Sequence, residues 1–233
     1  VVVDDMSDSD SFDGTLKELS RFPGVRIIRN MRRLGYPASA NRGAFSAHAE
    51  MIVLLNSDTQ VRSGWLETFE KALAENPRFG VLGPISNNGG YSQSIKVSLS
   101  PDGRTARLCS FRPSRLAKSS KPIRCLDLNG FCLVLRSDVV SSSGLFDATT
   151  FGLGYGEELD FFARLRQSRW RVGIVPSVFV EHAKQQSFSN EEVRWQKKKN
   201  MRAVKNFYGR RFFLQVWLSR WRCKVLVRFR KAM

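Results

Sequence analysis

The chain has 233 residues, 42% hydrophobic and 25% charged, with 17 Gly and 4 Cys. That length and balance suit one domain with an appendage, and they exclude a disordered, collagen-like or disulfide-framework protein. The net charge of +17 is uneven: Val193–Met233 holds fourteen Lys or Arg and no Asp or Glu, and subtracting those fourteen leaves +3 for residues 1–192, a near-neutral body with a basic tail.

Taken in order, Val1–Val3 is a short β-branched run ending in Asp4-Asp5, and Ser11–Arg21 reads as a helix with Leu16 and Leu19 on one side. The acidic start VVVDDMSDSD lacks the basic flank of a signal peptide. Val25–Ile28 predicts a strand and Pro37–Glu50 an Ala-rich helix. Met51–Leu55, MIVLL, is wholly apolar, the pattern of a strand buried on both faces of a parallel sheet. Asn56–Arg62 is a polar loop, and Ser63 is placed to cap a helix running to about Glu75. Val81–Ile85 predicts the next strand. Residues 86–122, rich in Ser, Gly, Pro and Arg, predict a long loop with one helical turn. Asn129–Leu135 is a further strand, and Leu159, Phe162 and Leu165 give Glu157–Gln167 a helical period. Val172–Val175 and Val178–Val180 read as two strands split by Pro176. Asn190–Tyr208 and Phe212–Arg230 read as helices.

Strand–helix alternation with short loops predicts an α/β fold, a doubly wound, mostly parallel sheet flanked by helices. It divides the chain into a domain over 1–190 and a basic helical tail over 191–233. No run of about 18 apolar residues encodes a transmembrane helix. Cys109, Cys125, Cys132 and Cys223 form no C-x-x-C pair, which argues against a zinc ribbon and fits reduced cytosolic thiols.

Ligands of α/β sheets bind beyond the carboxyl ends of strands, which singles out Asp4-Asp5, Asn56-Ser57-Asp58 and His182. Asp4 and Asp5 suit acceptance from a base N–H or a ribose hydroxyl, or plain helix capping, which Asp8 and Asp10 suit better. Asn56 and Asp58, two residues apart on a loop, offer oxygen to one hard cation such as Mg²⁺ or Mn²⁺, or form an Asx-turn. Gly152, Gly154 and Gly156 precede Glu157, Glu158 and Asp160. Three carboxylates at a helix start would repel a phosphate, so this is no dinucleotide loop; they favour the helix dipole, or one of them is a general base on a mobile loop. His182 suits a metal site or a structural role; His48 carries no assignment.

Several segments resemble glycosyltransferase family 2 in order and spacing, most of all its rhamnosyltransferase and O-antigen type: VVVDDMSDSD, NMRRLGYPASANRGAFSAHAEMIVLLNSDTQVRSGWLETF, VLGPISNNGGYSQSI, LNGFCLVLRSDVVSSSGLFD and FGLGYGEELDFFARLRQSRWRVGIVPSVFVEH. The resemblance spans about residues 1–190. It implies a GT-A fold and inverting transfer from a nucleotide-sugar, dTDP- or UDP-linked, to a glycan or lipid-linked acceptor in surface polysaccharide synthesis, with rhamnose as the sugar. By that resemblance Asp4 and Asp5 contact the nucleotide, and Asn41-Arg42-Gly43 faces the nucleotide-sugar. Asp58 matches the last Asp of the D-x-D metal motif, with His182 completing the site. Glu158 matches the catalytic base, with Glu157 beside it and Asp160 following. Asn129-Gly130 lines the acceptor side. Asn56 stands where many members carry Asp, and the chain begins at the family's second strand.

In the tail, Leu214, Leu218, Trp221, Val225 and Phe229 share a helical face flanked by Arg220, Lys224 and Arg228. This predicts an in-plane helix on an anionic membrane and a peripheral place on its cytoplasmic face, against packing on the domain or a nucleic-acid patch. No nucleic-acid motif accompanies the charge. The readings in competition are a metal-dependent glycosyltransferase, a truncated non-catalytic relative acting as a binding protein, and a basic membrane or nucleic-acid binder.

Overall fold

The computed structural model describes residues 1–7, 10–95, 98–99, 106–107, 121–183 and 190–229. Along the chain run β1 (Val2–Asp4), α1 (Asp10–Leu19), β2 (Ile27–Arg29), α2 (Tyr36–Phe45), β3 (Met51–Leu55), β4 (Thr59–Gln60), α3 (Trp65–Glu75), β5 (Phe79–Ile85) and α4 (Gly90–Gln93). There follow β6 (Ser98–Leu99), β7 (Ala106–Arg107), β8 (Ile123–Cys125), β9 (Cys132–Arg136), α5 (Ser137–Ser143), α6 (Ala148–Phe151), α7 (Glu157–Leu165), β10 (Arg171–Phe179), β11 (Glu181–His182) and α8 (Asn190–Phe229). Asp8, Cys109 and residues 96–97, 100–105 and 108–120 of the loop expected over 86–122 lie outside the described residues.

The α/β class stands: a five-stranded sheet, in the order β3-β9-β5-β10-β8, has helices on both faces. Its strand directions correct the mostly parallel expectation. Only β5–β10 pair in parallel; β3–β9, β5–β9 and β8–β10 are antiparallel, and the separate β1–β2 pair is parallel. The apolar run MIVLL reflects cover on both faces instead: Ile52 and Leu54 enter one core, while Met51 and Val53 pack against a second core containing Phe69, Phe131 and Val134. An antiparallel strand sandwiched between helices needs the same composition as a parallel one.

Local chemistry moves three boundaries. Ser46 Oγ donates to Gly43 O at 2.8 Å, competing with the next helical turn, so α2 stops at Phe45 rather than Glu50. Ser63 caps nothing: α3 starts after Gly64, which takes the left-handed conformation, with Trp65 edge-on to the buried Phe69. Pro176 does not split β10; a register shift between Val175 and Phe179 absorbs it within one strand.

The central pairing sets the site. Leu55 pairs with Cys132, and Pro84 with Val175, so the ends of β3, β5 and β10 lie at the same sheet edge as the start of β9. Asn56–Asp58, Ser86–Asn88, Asn129–Phe131 and Val180–His182 therefore leave the sheet together. α7 closes this edge from one side, burying Phe161, Phe162 and Leu165 at about 1.5–3 kcal/mol each. The break expected between the two tail helices is Gly209, whose φ of 70° and ψ of 177° interrupt α8.

Candidate active site

β4 and β11 form a two-stranded antiparallel pair in which Thr59 faces His182, bringing His182 Nε2 to 3.3 Å from Asp58 Oδ1. The ring is fixed from three sides. It stacks on Phe131 at 5.0 Å and 14°, and its Nδ1 lies 3.2 Å from Asn88 O. His182 N–H donates to Asn87 Oδ1 at 2.8 Å, while Asn87 Nδ2 and Asn88 Nδ2 both donate to His182 O. The Asn88 carbonyl can only accept, so Nδ1 is the donor there and Nε2 is the nitrogen turned toward the Asp58 carboxylate. One imidazole nitrogen and one carboxylate suit Mn²⁺ or Mg²⁺ and leave coordination positions for phosphate oxygens. Asn56 contributes its backbone here, donating to Phe131 O and accepting from Thr59 Oγ1.

Glu158 occupies the neighbouring position. Its Oε1 accepts from Gly130 N–H at 2.7 Å, and a Cβ at Gly130 would lie 2.5 Å from that oxygen, so only glycine admits the contact. Tyr36 Oη donates to Gly130 O at 3.0 Å, and Asn129 N–H donates to Gln93 Oε1 at 2.7 Å, pinning the segment on both sides. Desolvation is the largest influence on Glu158 and raises its pKa; the Gly130 N–H lowers it, the Asp127 charge raises it, and Arg220 and Lys197 lower it, for a value of about 7. Glu157 is buried, with Oε2 unpartnered, and desolvation followed by the Glu158 charge pushes it well above the usual carboxylate range. Burial and the same two carboxylates hold the Tyr36 phenol protonated. A carboxyl titrating near neutrality at a sheet edge is equipped as a general base.

The glycine loop is less free than its composition suggested. Asn200 Nδ2 on α8 donates to Phe151 O and Gly154 O at 3.0 and 2.7 Å, and Gln196 Nε2 donates to Phe151 O. A Cβ at Gly35 would meet Leu153 Cα at 2.5 Å, so the loop lies directly on the start of α2. Tyr155 adopts φ 70°, a strained value for a side-chain-bearing residue that these contacts maintain.

Five expected residues make other contacts. Asp160 turns toward α8, binding Arg164 Nε at 2.8 Å and Tyr208 Oη at 2.6 Å; two residues along a helix from Glu158, it projects to the far side. Asn41 clamps Phe146 through both its N–H and C=O. Gly43 provides room for Val3, whose Cγ2 would sit 3.1 Å from a Cβ there. Asp5 takes N–H groups of Leu34 and Gly35 and the Asn30 amide, each at 2.8 Å; burial raises its pKa but these bonds outweigh it, and the carboxyl falls below its usual range. Asp4 is buried, accepts from Ser7 N–H and pairs with Arg29 at 3.0 Å. Asp4 and Asp5 thus shape the loop that leads through Gly35 and Tyr36 to Gly130. Gln93, Asn87, Asn88 and Phe131 received no role from the sequence. The SNNGG run after a strand was the available signal for the two asparagines.

A model of the family described as Glycosyl transferase family 2 matches residues 1–141. The N-acetylglucosaminyl-diphospho-decaprenol L-rhamnosyltransferase of Mycobacterium tuberculosis is 29% identical over 208 residues, covering 78% of this chain and 66% of that protein. Among solved structures, GalNAc-T7 with UDP, GalNAc and Mn²⁺ aligns at a TM-score of 0.64 and 16% identity, over 90% of this chain and 42% of that one. The mannosyltransferase PcManGT from Pyrobaculum calidifontis, in complex with GDP-Man and Mn²⁺, aligns at 0.59 and 13% identity, over 99% and 63%. The chain thus spans just under two thirds of the rhamnosyltransferase's length. These structures share its GT-A architecture.

Proposed function

Because the chain belongs to glycosyl transferase family 2, we propose that it transfers a sugar from a nucleotide-sugar to a glycan or lipid-linked acceptor by an inverting displacement. The observation that carries this reading is the convergence at one sheet edge of Glu158, titrating at about 7, with the oriented Asp58–His182 pair. Asp58 and His182 would hold a divalent cation, Mg²⁺ or Mn²⁺, which as a Lewis acid neutralises charge on a departing diphosphate. Glu158 removes the proton from the acceptor hydroxyl as the oxygen approaches the anomeric carbon from the face opposite the leaving group. General base action of this kind contributes about 10²–10⁴ in rate. One base and no covalent nucleophile suffice for a single inverting displacement. Gly130 holds the Glu158 carboxylate in place, and Tyr36 and Gln93 hold the Gly130 segment. Asn87 and Asn88 keep Nε2 of His182 directed at Asp58. The relative from Mycobacterium tuberculosis, by its name a rhamnosyltransferase acting on a diphospho-decaprenol-linked sugar, favours rhamnose and a lipid-linked acceptor.

Isothermal titration of the chain with UDP and dTDP, with and without Mn²⁺, tests the donor site beside an Asp58→Ala variant. Metal-dependent binding that is lost in the variant is the expected result. Metal-independent binding, or binding that survives Asp58→Ala, overturns the assignment of the Asp58–His182 pair. No binding of either nucleotide returns the chain to a non-catalytic relative.

A further inference from the structure

Beyond Gly209, α8 is apolar on two opposite sides. Phe212, Val216, Cys223 and Val227 are buried against the domain, and on the same side Ser219 Oγ accepts from Leu126 N–H at 3.0 Å. Leu214, Trp217, Leu218 and Trp221, spaced i, i+3, i+4 and i+7, fall on the other side of the helix. They are 56%, 61%, 48% and 61% exposed, although that spacing usually marks a face with a partner. The sequence alone placed Leu214, Leu218, Trp221, Val225 and Phe229 on one face and marked Trp217 and Trp221 as suited to a membrane interface; the structure sets Trp217 on the exposed face with Leu214, Leu218 and Trp221 and shows the packing and exposed faces to be separate. Arg210, Arg211, Arg222 and Lys224 are exposed along its borders, and no acidic residue follows Glu192.

We propose that this face docks in the headgroup region of an anionic lipid surface, with α8 lying in the membrane plane. Two tryptophans beside leucines, bordered by lysine and arginine, match the layered polarity of that region: apolar bodies at the acyl boundary, indole N–H groups and cations among phosphates. Charge decides between occupants. A second copy would set one strip of cations against an identical strip, whereas an anionic leaflet complements it. Among the described residues no helix is long and apolar enough to cross a membrane, which fits in-plane docking. The helix is also tied into the site region: Arg220 pairs with Asp127, Tyr208 with Asp160, and Asn200 with the glycine loop. Docking therefore fixes how far the Glu158 edge stands from the lipid surface. A lipid-linked acceptor would present its sugar at such a height.

Co-sedimentation with phosphatidylcholine vesicles, and with vesicles containing phosphatidylglycerol, tests the proposal on the full chain. Binding to the phosphatidylglycerol vesicles only, weakened by salt and accompanied by a blue shift of tryptophan emission, is the expected result. Trp217→Ser with Trp221→Ser lowers that affinity about tenfold or more and removes the shift, as does Arg211→Glu with Lys224→Glu. Trp195→Ser, an exposed tryptophan before Gly209, leaves binding unchanged. Equal binding by wild type and the double tryptophan variant overturns the proposal, as does equal binding to both vesicle types. A dimer that dissociates in the double tryptophan variant, with no lipid binding, also overturns it and assigns the face to a second copy. UDP and dTDP binding measured on the same preparations stays constant across these variants. Loss of vesicle binding is thereby separable from failure of the transfer reading.

Discussion

Gly130→Ala isolates the contact that holds the Glu158 carboxylate. Gly130 does not use the left-handed backbone region, so alanine is conformationally acceptable there, and the new methyl acts through what it touches. Its carbon would lie 2.5 Å from Glu158 Oε1, 3.3 Å from Cδ and 3.4 Å from Cγ. Restoring an ordinary contact of 3.4 Å to the oxygen requires a retreat of 0.9 Å. A 2.7 Å hydrogen bond stretched by that amount no longer holds. A bond to a charged group contributes about 1.5–3 kcal/mol, and 1.36 kcal/mol corresponds to one pKa unit. Because this bond lowers the pKa of Glu158, its loss raises that pKa by about one unit or more above its present value of about 7. Displacement of this size also costs about 10²-fold in rate. The assay is the pH dependence of sugar transfer, with nucleotide affinity measured in parallel. The acidic limb of kcat/KM is expected to move to higher pH and the plateau to fall, with affinity for the nucleotide kept. An unchanged profile and plateau would refute the reasoning, since the methyl cannot be accommodated without moving Glu158.

Glu157→Gln is expected to stabilise the fold above neutral pH. Its folded pKa is raised, chiefly by burial, so the native state holds protons that the unfolded chain releases near the ordinary carboxylate range, and stability falls as pH rises through that window. Thermal melts should show a gain for the variant at about pH 8 that vanishes near pH 4; a gain independent of pH contradicts this. Asn87→Ala removes two of the three hydrogen bonds that clamp the His182 backbone, and metal-dependent nucleotide binding should weaken about tenfold while the melting temperature changes little. Unaltered binding removes Asn87 from the site. Arg220→Ala leaves Asp127 buried without its ion pair and should cost about 3 kcal/mol in denaturant unfolding. Adding Asp127→Asn should recover part of that loss.

Period and composition made most elements legible, including the interruption of the tail at Gly209. They could not give strand direction. FCLVLR reads as a buried strand either way, and its antiparallel insertion between β3 and β5 follows from connections running through residues whose local pattern is polar. The short strand at Ile123–Cys125 carries too few residues to announce itself. Asp58, Glu158, His182 and Gly130, which the structure brings to one edge, were legible as candidates because strand ends and a glycine-flanked acid cluster are local signals. The contact of Asp160 with Tyr208 was not legible, because that partner lies 48 residues away, on a helix whose packing is set by tertiary contacts. Asn41 and Gly43 likewise sit in a segment of the expected composition while serving Phe146 and Val3. Asn87 and Asn88, which hold the His182 backbone, are indistinguishable from turn residues until the strand carrying His182 is laid beside them.

On the proposed function, Glu158 removes the acceptor proton at the edge where Asp58 and His182 meet. The most direct test is turnover of nucleotide-sugars, a dTDP-linked rhamnose among them, by the chain and by Glu158→Gln across pH, with nucleotide affinity read alongside. The rate is expected to rise through about pH 7 and to fall by about 10²–10⁴ in the glutamine variant, which still binds nucleotide as before. Undiminished turnover by Glu158→Gln, or a rate indifferent to pH across that range, would contradict it.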